Sequence, residues 1–191
     1  MGSNYTMLID LNHCSGCHAC SVACKAEHQV PIGQFRHTVQ YVEAGAFPQL
    51  SRKFIPTLCQ HCTDTPCIKV CAVGAIEKRD SGAIVINQEL CVGSGQCVDA
   101  CPYGAIYMDP VSMTAAKCDF CESRVAEGEL PACAATCPTE AIQFGFEDDP
   151  HIRESLAKGG YTRWEPEPTA PRVLYKGLGE TQQKLKRINR S

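Results

Sequence analysis

The chain has 191 residues, room for one domain or two small ones. Eighteen basic residues against 21 acidic ones give a formal net charge of -3, and 44% of the residues are apolar. This balance excludes a disordered tail or a fibre and argues against sequence-independent binding of nucleic-acid phosphates. No apolar run approaches the ~20 residues of a bilayer span, and the first residues do not read as a secretory signal. A soluble, cytoplasmic chain with no direct membrane span is therefore expected. The outlier is cysteine, with 15 residues. An odd number in a chain without an export signal points to metal rather than to disulfides.

In chain order, Thr6–Asp10 reads as a short strand, followed by Cys14, Cys17, Cys20 and Cys24 in the spacing C-x2-C-x2-C-x3-C. Residues 29–57 hold no cysteine and mix β-branched and aromatic residues with Gly33, Gly45 and Pro48, which fits a hairpin-like insertion. A second group, Cys59, Cys62, Cys67 and Cys71, stretches one gap. It runs into CAVGAI and a predicted strand at Ala83–Asn87. The third group, Cys91, Cys97 and Cys101, would repeat the first but for Ser94, and leads into CPYGAI with a strand at Ala105–Met108. The fourth, Cys118, Cys121, Cys133 and Cys137, leads into CPTEAI with a strand at Ala141–Phe144. Look-alike segments at this spacing mark a repeated supersecondary unit. The final x3 step of each group suits one helical turn. From Asp148 onward Gly159, Gly160, Pro166, Pro168 and Pro171 precede a basic run from Lys184, which reads as an extended arm. The fold class is α+β with small elements.

The spacing C-x2-C-x2-C-x3-C is the one that holds cubane [4Fe–4S] clusters. Three closely spaced thiolates cover one face of the cube, and the following helical turn points the fourth thiolate at the other cluster of a pair. Zinc prefers two separated C-x2-C pairs and would account for groups two and four, but not for groups one and three. Cys14-Ser-Gly-Cys17-His18 also satisfies the haem attachment pattern, against which Cys20 and Cys24 continue the cluster spacing. No phosphate loop or substrate site is visible.

The blocks CSGCHACSVAC (14–24), CQHCTDTPCIKVC (59–71), CVGSGQCVDACPYGAI (91–106) and KCDFCESRVAEGELPACAATCPTEAI (117–142) carry a resemblance. The sequence resembles the four-cluster, ferredoxin-like electron-transfer subunits of the dimethyl-sulfoxide-reductase family of molybdenum and tungsten enzymes. The resemblance implies two bacterial-type dicluster ferredoxin-like lobes with a pseudo-two-fold relation. One lobe (1–50 and 110–147) would hold cluster A on Cys14, Cys17, Cys20 and Cys137, and cluster D on Cys24, Cys118, Cys121 and Cys133. The lobe inserted at 58–109 would hold cluster B on Cys59, Cys62, Cys67 and Cys101, and cluster C on Cys71, Cys91 and Cys97, with Ser94 in the remaining slot. Residues 148–191 would bind a partner. The implied wire runs D–A–B–C or its reverse.

Three [4Fe–4S] clusters are thus expected. The Ser94 site would hold a [3Fe–4S] cluster, a [4Fe–4S] cluster with oxygen from Ser94 or water, or nothing, and [3Fe–4S] is the expectation carried forward. Lys117 and Arg124 are the cations expected to compensate cluster charge. Tyr161 and Trp164 either anchor the arm on a partner or fold back on the protein itself. The implied partners are a large catalytic metallo-subunit and a second redox partner, such as a ferredoxin, another subunit or a membrane anchor. Electron relay is the expected function rather than catalysis. The alternatives are a free polyferredoxin and, less favoured, a catalytic protein with an open iron at the Ser94 cluster. A partner's signal could carry such a subunit across a membrane.

Overall fold

The computed structural model describes residues 4–189. Its first half comprises β1 (Tyr5–Asp10), α1 (Ala19–Glu27), β2 (His37–Ala44), β3 (Ser51–Leu58), α2 (Pro66–Lys69), β4 (Ile76–Lys78), β5 (Ile84–Ile86) and α3 (Gln96–Ala100). There follow β6 (Tyr107–Met108), β7 (Ala115–Ala116), α4 (Glu122–Ala126), α5 (Ala132–Ala135), β8 (Ile142–Phe146), α6 (Pro150–Ala157), β9 (Tyr161–Arg163) and β10 (Val173–Lys176). A 3-10 helix spans Gly179–Lys184. The class is mixed α+β, with short strands at the apolar runs that predict them.

Met7, Leu8 and Ile9 of β1 are wholly buried, the pattern of a strand covered on both faces. Burying each such side chain contributes about 1.5–3 kcal/mol, which seats β1 at the centre of a four-stranded sheet ordered β8-β1-β10-β9. β8 is antiparallel to β1, with Met7 opposite Phe144; β10 is parallel to it, with Met7 opposite Val173. The buried Thr6 hydroxyl donates to the Arg172 carbonyl at 2.7 Å, fixing that register.

Three two-stranded units surround the cysteine loops. β2 and β3 form an antiparallel hairpin from His37 opposite Leu58 to Ala44 opposite Ser51, and Phe54 on it packs against the first loop. β4 pairs with β5, and β6 with β7, each pair following one C-x-x-G-A turn. The core is continuous through the cysteines: Cys20, Cys59, Cys67, Cys97, Cys118 and Cys133 lie in one buried cluster with Met7, Ile55, Ile84, Phe120 and Val173.

Residues 148–189 are more ordered than an extended arm. The segment supplies α6 and two strands of the main sheet, then crosses the body to Tyr103 and Gly104, where the Ile188 and Asn189 amides donate to their carbonyls at 2.9 and 3.0 Å. Trp164, 4% exposed, packs edge-on to Tyr103 with centroids 5.1 Å apart, so it folds back on the protein itself. Residues 190 and 191 of the predicted arm lie outside the described residues. Among the described residues no helix is long and apolar enough to cross a membrane.

Candidate metal centres

Each cysteine loop is built the same way. The final C-x3-C step lies on or beside a short helix: Cys20 and Cys24 on α1, Cys67 on α2, Cys97 on α3 and Cys133 on α5. The residue before each second ligand position is left-handed: Gly16 (φ 71°), His61 (φ 44°), Gly93 (φ 70°) and Phe120 (φ 62°). Gly16 admits no side chain, because a Cβ there would lie 2.5 Å from Phe54 Cδ1. The left-handed state costs a non-glycine residue roughly 1–2 kcal/mol. At His61 and Phe120 stacking offsets part of that cost, with ring centroids 3.5 Å apart and 14° between planes.

The repeated motif after each exit cysteine also has a physical reading. In CAVGA, CPYGA and CPTEA the fourth residue, Gly74, Gly104 or Glu140, is left-handed at φ 65°, 61° and 53° and donates its amide to the exit cysteine's carbonyl at 3.1, 3.2 and 3.2 Å. That turn aims the next amide at sulfur. The Ala75 N–H reaches Cys71 Sγ at 3.2 Å and the Ala105 N–H reaches Cys101 Sγ at 3.4 Å. The Ala141 N–H is likewise bonded to Cys137.

The thiols gather in four neighbourhoods. Cys14 feels the charge of Cys17 and Cys137, as Cys20 does that of Cys14 and Cys137. Cys24, Cys118, Cys121 and Cys133 act on one another in the same way. So do Cys59, Cys62, Cys67 and Cys101, and so do Cys71, Cys91 and Cys97. These four neighbourhoods are labelled sets A, D, B and C below. Burial, with help from neighbouring thiolates, pushes Cys20 up to about 11 and Cys24, Cys62 and Cys67 up to about 12; the same cause holds Cys118 and Cys133 well above the usual thiol range. For Cys137 burial is outweighed by hydrogen bonds from the Thr139 hydroxyl and nearby amides, and its value falls.

Between sets, Cys133 feels Cys20, and Cys118 feels Cys59. The His61–Phe120 stack likewise joins the loop of set B to that of set D. These contacts link set A with set D and set D with set B.

Ser94 lines a cavity with Cys71, Cys91 and Cys97, beside Gly93 and Gly95, and a cavity of similar size lies among Cys59, Cys62, Cys67 and Cys101. Each has about 330 Å³ of space between atoms, part of it open to solvent. Lys117 is buried and donates to the carbonyls of Ile84 and, at 2.8 Å, Cys118, with its charge facing Cys67. Arg124 faces Cys121 and is paired with Glu27 at 3.1 Å and Glu129 at 2.6 Å. The polar contacts that the structure gives both cations are to oxygens. His18 is bonded to the Tyr41 hydroxyl.

Spacing alone does not reveal His28. Its Nε2 lies 3.1 Å from Cys121 Sγ and 3.7 Å from Asp119 Oδ1, and Arg36 holds the other Asp119 oxygen at 3.0 Å. Burial lowers the His28 pKa, against the opposing pull of Asp119. One signal is present in the sequence: Cys20, Cys24 and His28 recur every four residues, on one face of α1.

The donor sets fit iron–sulfur clusters. All fifteen cysteines are free thiols. They are crowded and mostly buried, with N–H groups aimed at their sulfurs, and as bare thiolates they would lack the positive charge that iron supplies. A small α+β fold with such loops defines a ferredoxin-like iron–sulfur protein.

Comparison with known proteins extends this. The family described as 4Fe-4S dicluster domain matches residues 50–147. The sequence is 40% identical over 183 residues to a tetrathionate reductase subunit of Salmonella typhimurium, covering 92% of this protein and 73% of that one. It is 40% identical over 153 residues to one of the polysulfide reductase chains of Wolinella succinogenes, covering 78% and 80% respectively. With the thiosulfate reductase electron transfer subunit PhsB of Salmonella typhi the identity is 36% over 177 residues, covering 91% and 92%. This protein belongs to the same family of ferredoxin-like iron–sulfur subunits, of the dimethyl-sulfoxide-reductase type. It is an electron-transfer subunit of an oxidoreductase complex, relaying electrons to or from a catalytic subunit, and is not itself the catalytic one.

Proposed function

We propose that the chain holds four iron–sulfur centres, on the sets A, D, B and C given above, and forms a wire in the order A–D–B–C or its reverse. The wire joins a large molybdenum or tungsten catalytic subunit to a second redox partner, a ferredoxin, another subunit or a membrane anchor, in the cytoplasm. When bound, the clusters supply one-electron redox chemistry; the protein supplies spacing, insulation and potential. The observation that carries the reading is the gathering of the fifteen free thiols into three groups of four and one of three. Sets A and D would form one ferredoxin-like lobe (1–50 and 110–147) and sets B and C the lobe inserted at 58–109, the left-handed positions recurring in step in both. The ordered segment from Asp148 would brace the lobes and present its outer face to a partner.

At set C three thiolates meet Ser94, a harder and poorer ligand for iron than a thiolate. A [3Fe–4S] centre there is the reading we adopt, with three [4Fe–4S] centres elsewhere. Electron paramagnetic resonance and iron counting on the anaerobically isolated complex test it. Three [4Fe–4S] signals and one [3Fe–4S] signal are expected, and Ser94→Cys should convert the latter to a fourth [4Fe–4S]. A colourless preparation holding zinc would overturn the reading.

A further inference from the structure

Three of the four thiol sets receive a backbone N–H from the residue four positions beyond the exit cysteine: Ala75 on Cys71, Ala105 on Cys101 and Ala141 on Cys137. Set D is built differently. Its exit cysteine is Cys24, and Glu27 stands where the other turns have a left-handed residue, so α1 runs on instead of breaking. The His28 amide is consumed by the Cys24 carbonyl at 3.2 Å. From the same residue the side-chain N–H faces a sulfur of the set instead: the imidazole lies 3.1 Å from Cys121 Sγ, which also receives the Ala132 amide.

The imidazole is held from several sides. His28 ends the helix that carries Cys24, and its side chain is 12% exposed. Asp119 Oδ1 lies 3.7 Å from Nε2, and Asp119 is fixed by the Cys121 amide at 2.8 Å and by Arg36 at 3.0 Å. A metal-bound thiolate sulfur can only accept, so Nε2 is the donor in this contact.

We propose that the His28 Nε2–H···Sγ Cys121 hydrogen bond sets the reduction potential of the cluster held by set D. His28 is thus a positioning residue, a side-chain donor to a set D sulfur that adds to the main-chain donors there. The inference rests on the reading of the thiol sets as cluster sites. Hydrogen bonds to cluster sulfurs and net charge are determinants of potential. A donor to sulfur stabilises the more negative, reduced state more than the oxidised one, so it raises the potential.

The test is a redox titration of the anaerobic native complex followed by electron paramagnetic resonance, with wild type, His28→Leu and His28→Gln. The set D centre is identified as the one altered by Cys121→Ser. In His28→Leu that centre alone should titrate at a lower potential, and the amide N–H of His28→Gln should restore part of the shift. Unchanged potentials in His28→Leu, or a shift spread over every centre, would overturn the proposal. So would loss of the set D centre in both variants, which would mark His28 as structural support. Absence of iron–sulfur signals from wild type would instead overturn the underlying reading, and the two failures are distinguishable.

Discussion

The equivalent turns at Gly74 and Gly104 offer a matched pair of substitutions to alanine. Both residues are left-handed, at φ 65° and 61°, and alanine in that region costs about 1 kcal/mol. Their surroundings differ. A Cβ at Gly74 would meet nothing within 4 Å, whereas at Gly104 it would lie 2.7 Å from Arg187 Cβ and 3.0 Å from the Ile188 amide nitrogen. Backbone cannot swing aside as a side-chain tip can, so residues 187–189 must lift. Their two amide bonds, to Tyr103 and Gly104, would then be lost at about 1 kcal/mol each. Gly74→Ala should therefore destabilise by about 1 kcal/mol and Gly104→Ala by about 3 kcal/mol. At about 2–4 °C per kcal/mol for a chain of this size, the melting points should fall by about 2–4 °C and about 6–12 °C. Anaerobic thermal unfolding, read by circular dichroism and by bleaching of the visible absorption, measures both; limited proteolysis should show the C-terminal segment released in Gly104→Ala alone. Equal losses in the two variants, or a C-terminal segment as resistant as wild type in Gly104→Ala, would refute the reasoning.

Two further outcomes follow from burial. His37 is wholly buried, neither ring nitrogen has a hydrogen-bond partner, and burial lowers its pKa from 6.5 to about 4. A base depressed in the folded state contributes stability above its unfolded pKa and loses it as pH falls toward the folded one. Between about pH 8 and pH 5 that loss is about 2 kcal/mol by linkage. Denaturant titrations across this range should be flatter by that amount in His37→Leu, and parallel curves would contradict the assignment. Iron chelation should leave the chain largely unfolded, because the buried core runs through the cysteines; a native-like circular dichroism spectrum afterwards would contradict this.

Much of the local architecture is legible in the sequence, because its causes are local. Apolar runs of four or five residues predict strands close to β1, β5, β6 and β8, and the C-x3-C steps coincide with short helices. The recurrence of Gly74, Gly104 and Glu140 before an alanine is a turn motif whose purpose, an amide on sulfur, emerges only in three dimensions. What stays hidden depends on distant partners. Nothing near Val173 announces a parallel neighbour at Met7, so the final segment reads as a loose arm. The adjacency of sets D and B rests on His61 and Phe120, two residues far apart in sequence with nothing in common but their place in their loops. His28 is obscured because a single histidine beyond a cysteine motif ordinarily reads as helix-end surface.

The seat of β1 bears on how the polypeptide is made. Met7, Leu8 and Ile9 leave the ribosome well before their flanking strands, which begin at Ile142 and Val173. The stretch from Cys59 to Cys101 contains one thiol neighbourhood complete and the whole of another, so it can be furnished with metal while the nascent polypeptide is still growing. That strand must wait, greasy and uncovered, until both of its neighbours have been made. The order of synthesis thus lets the middle be completed before β1 is covered on either side.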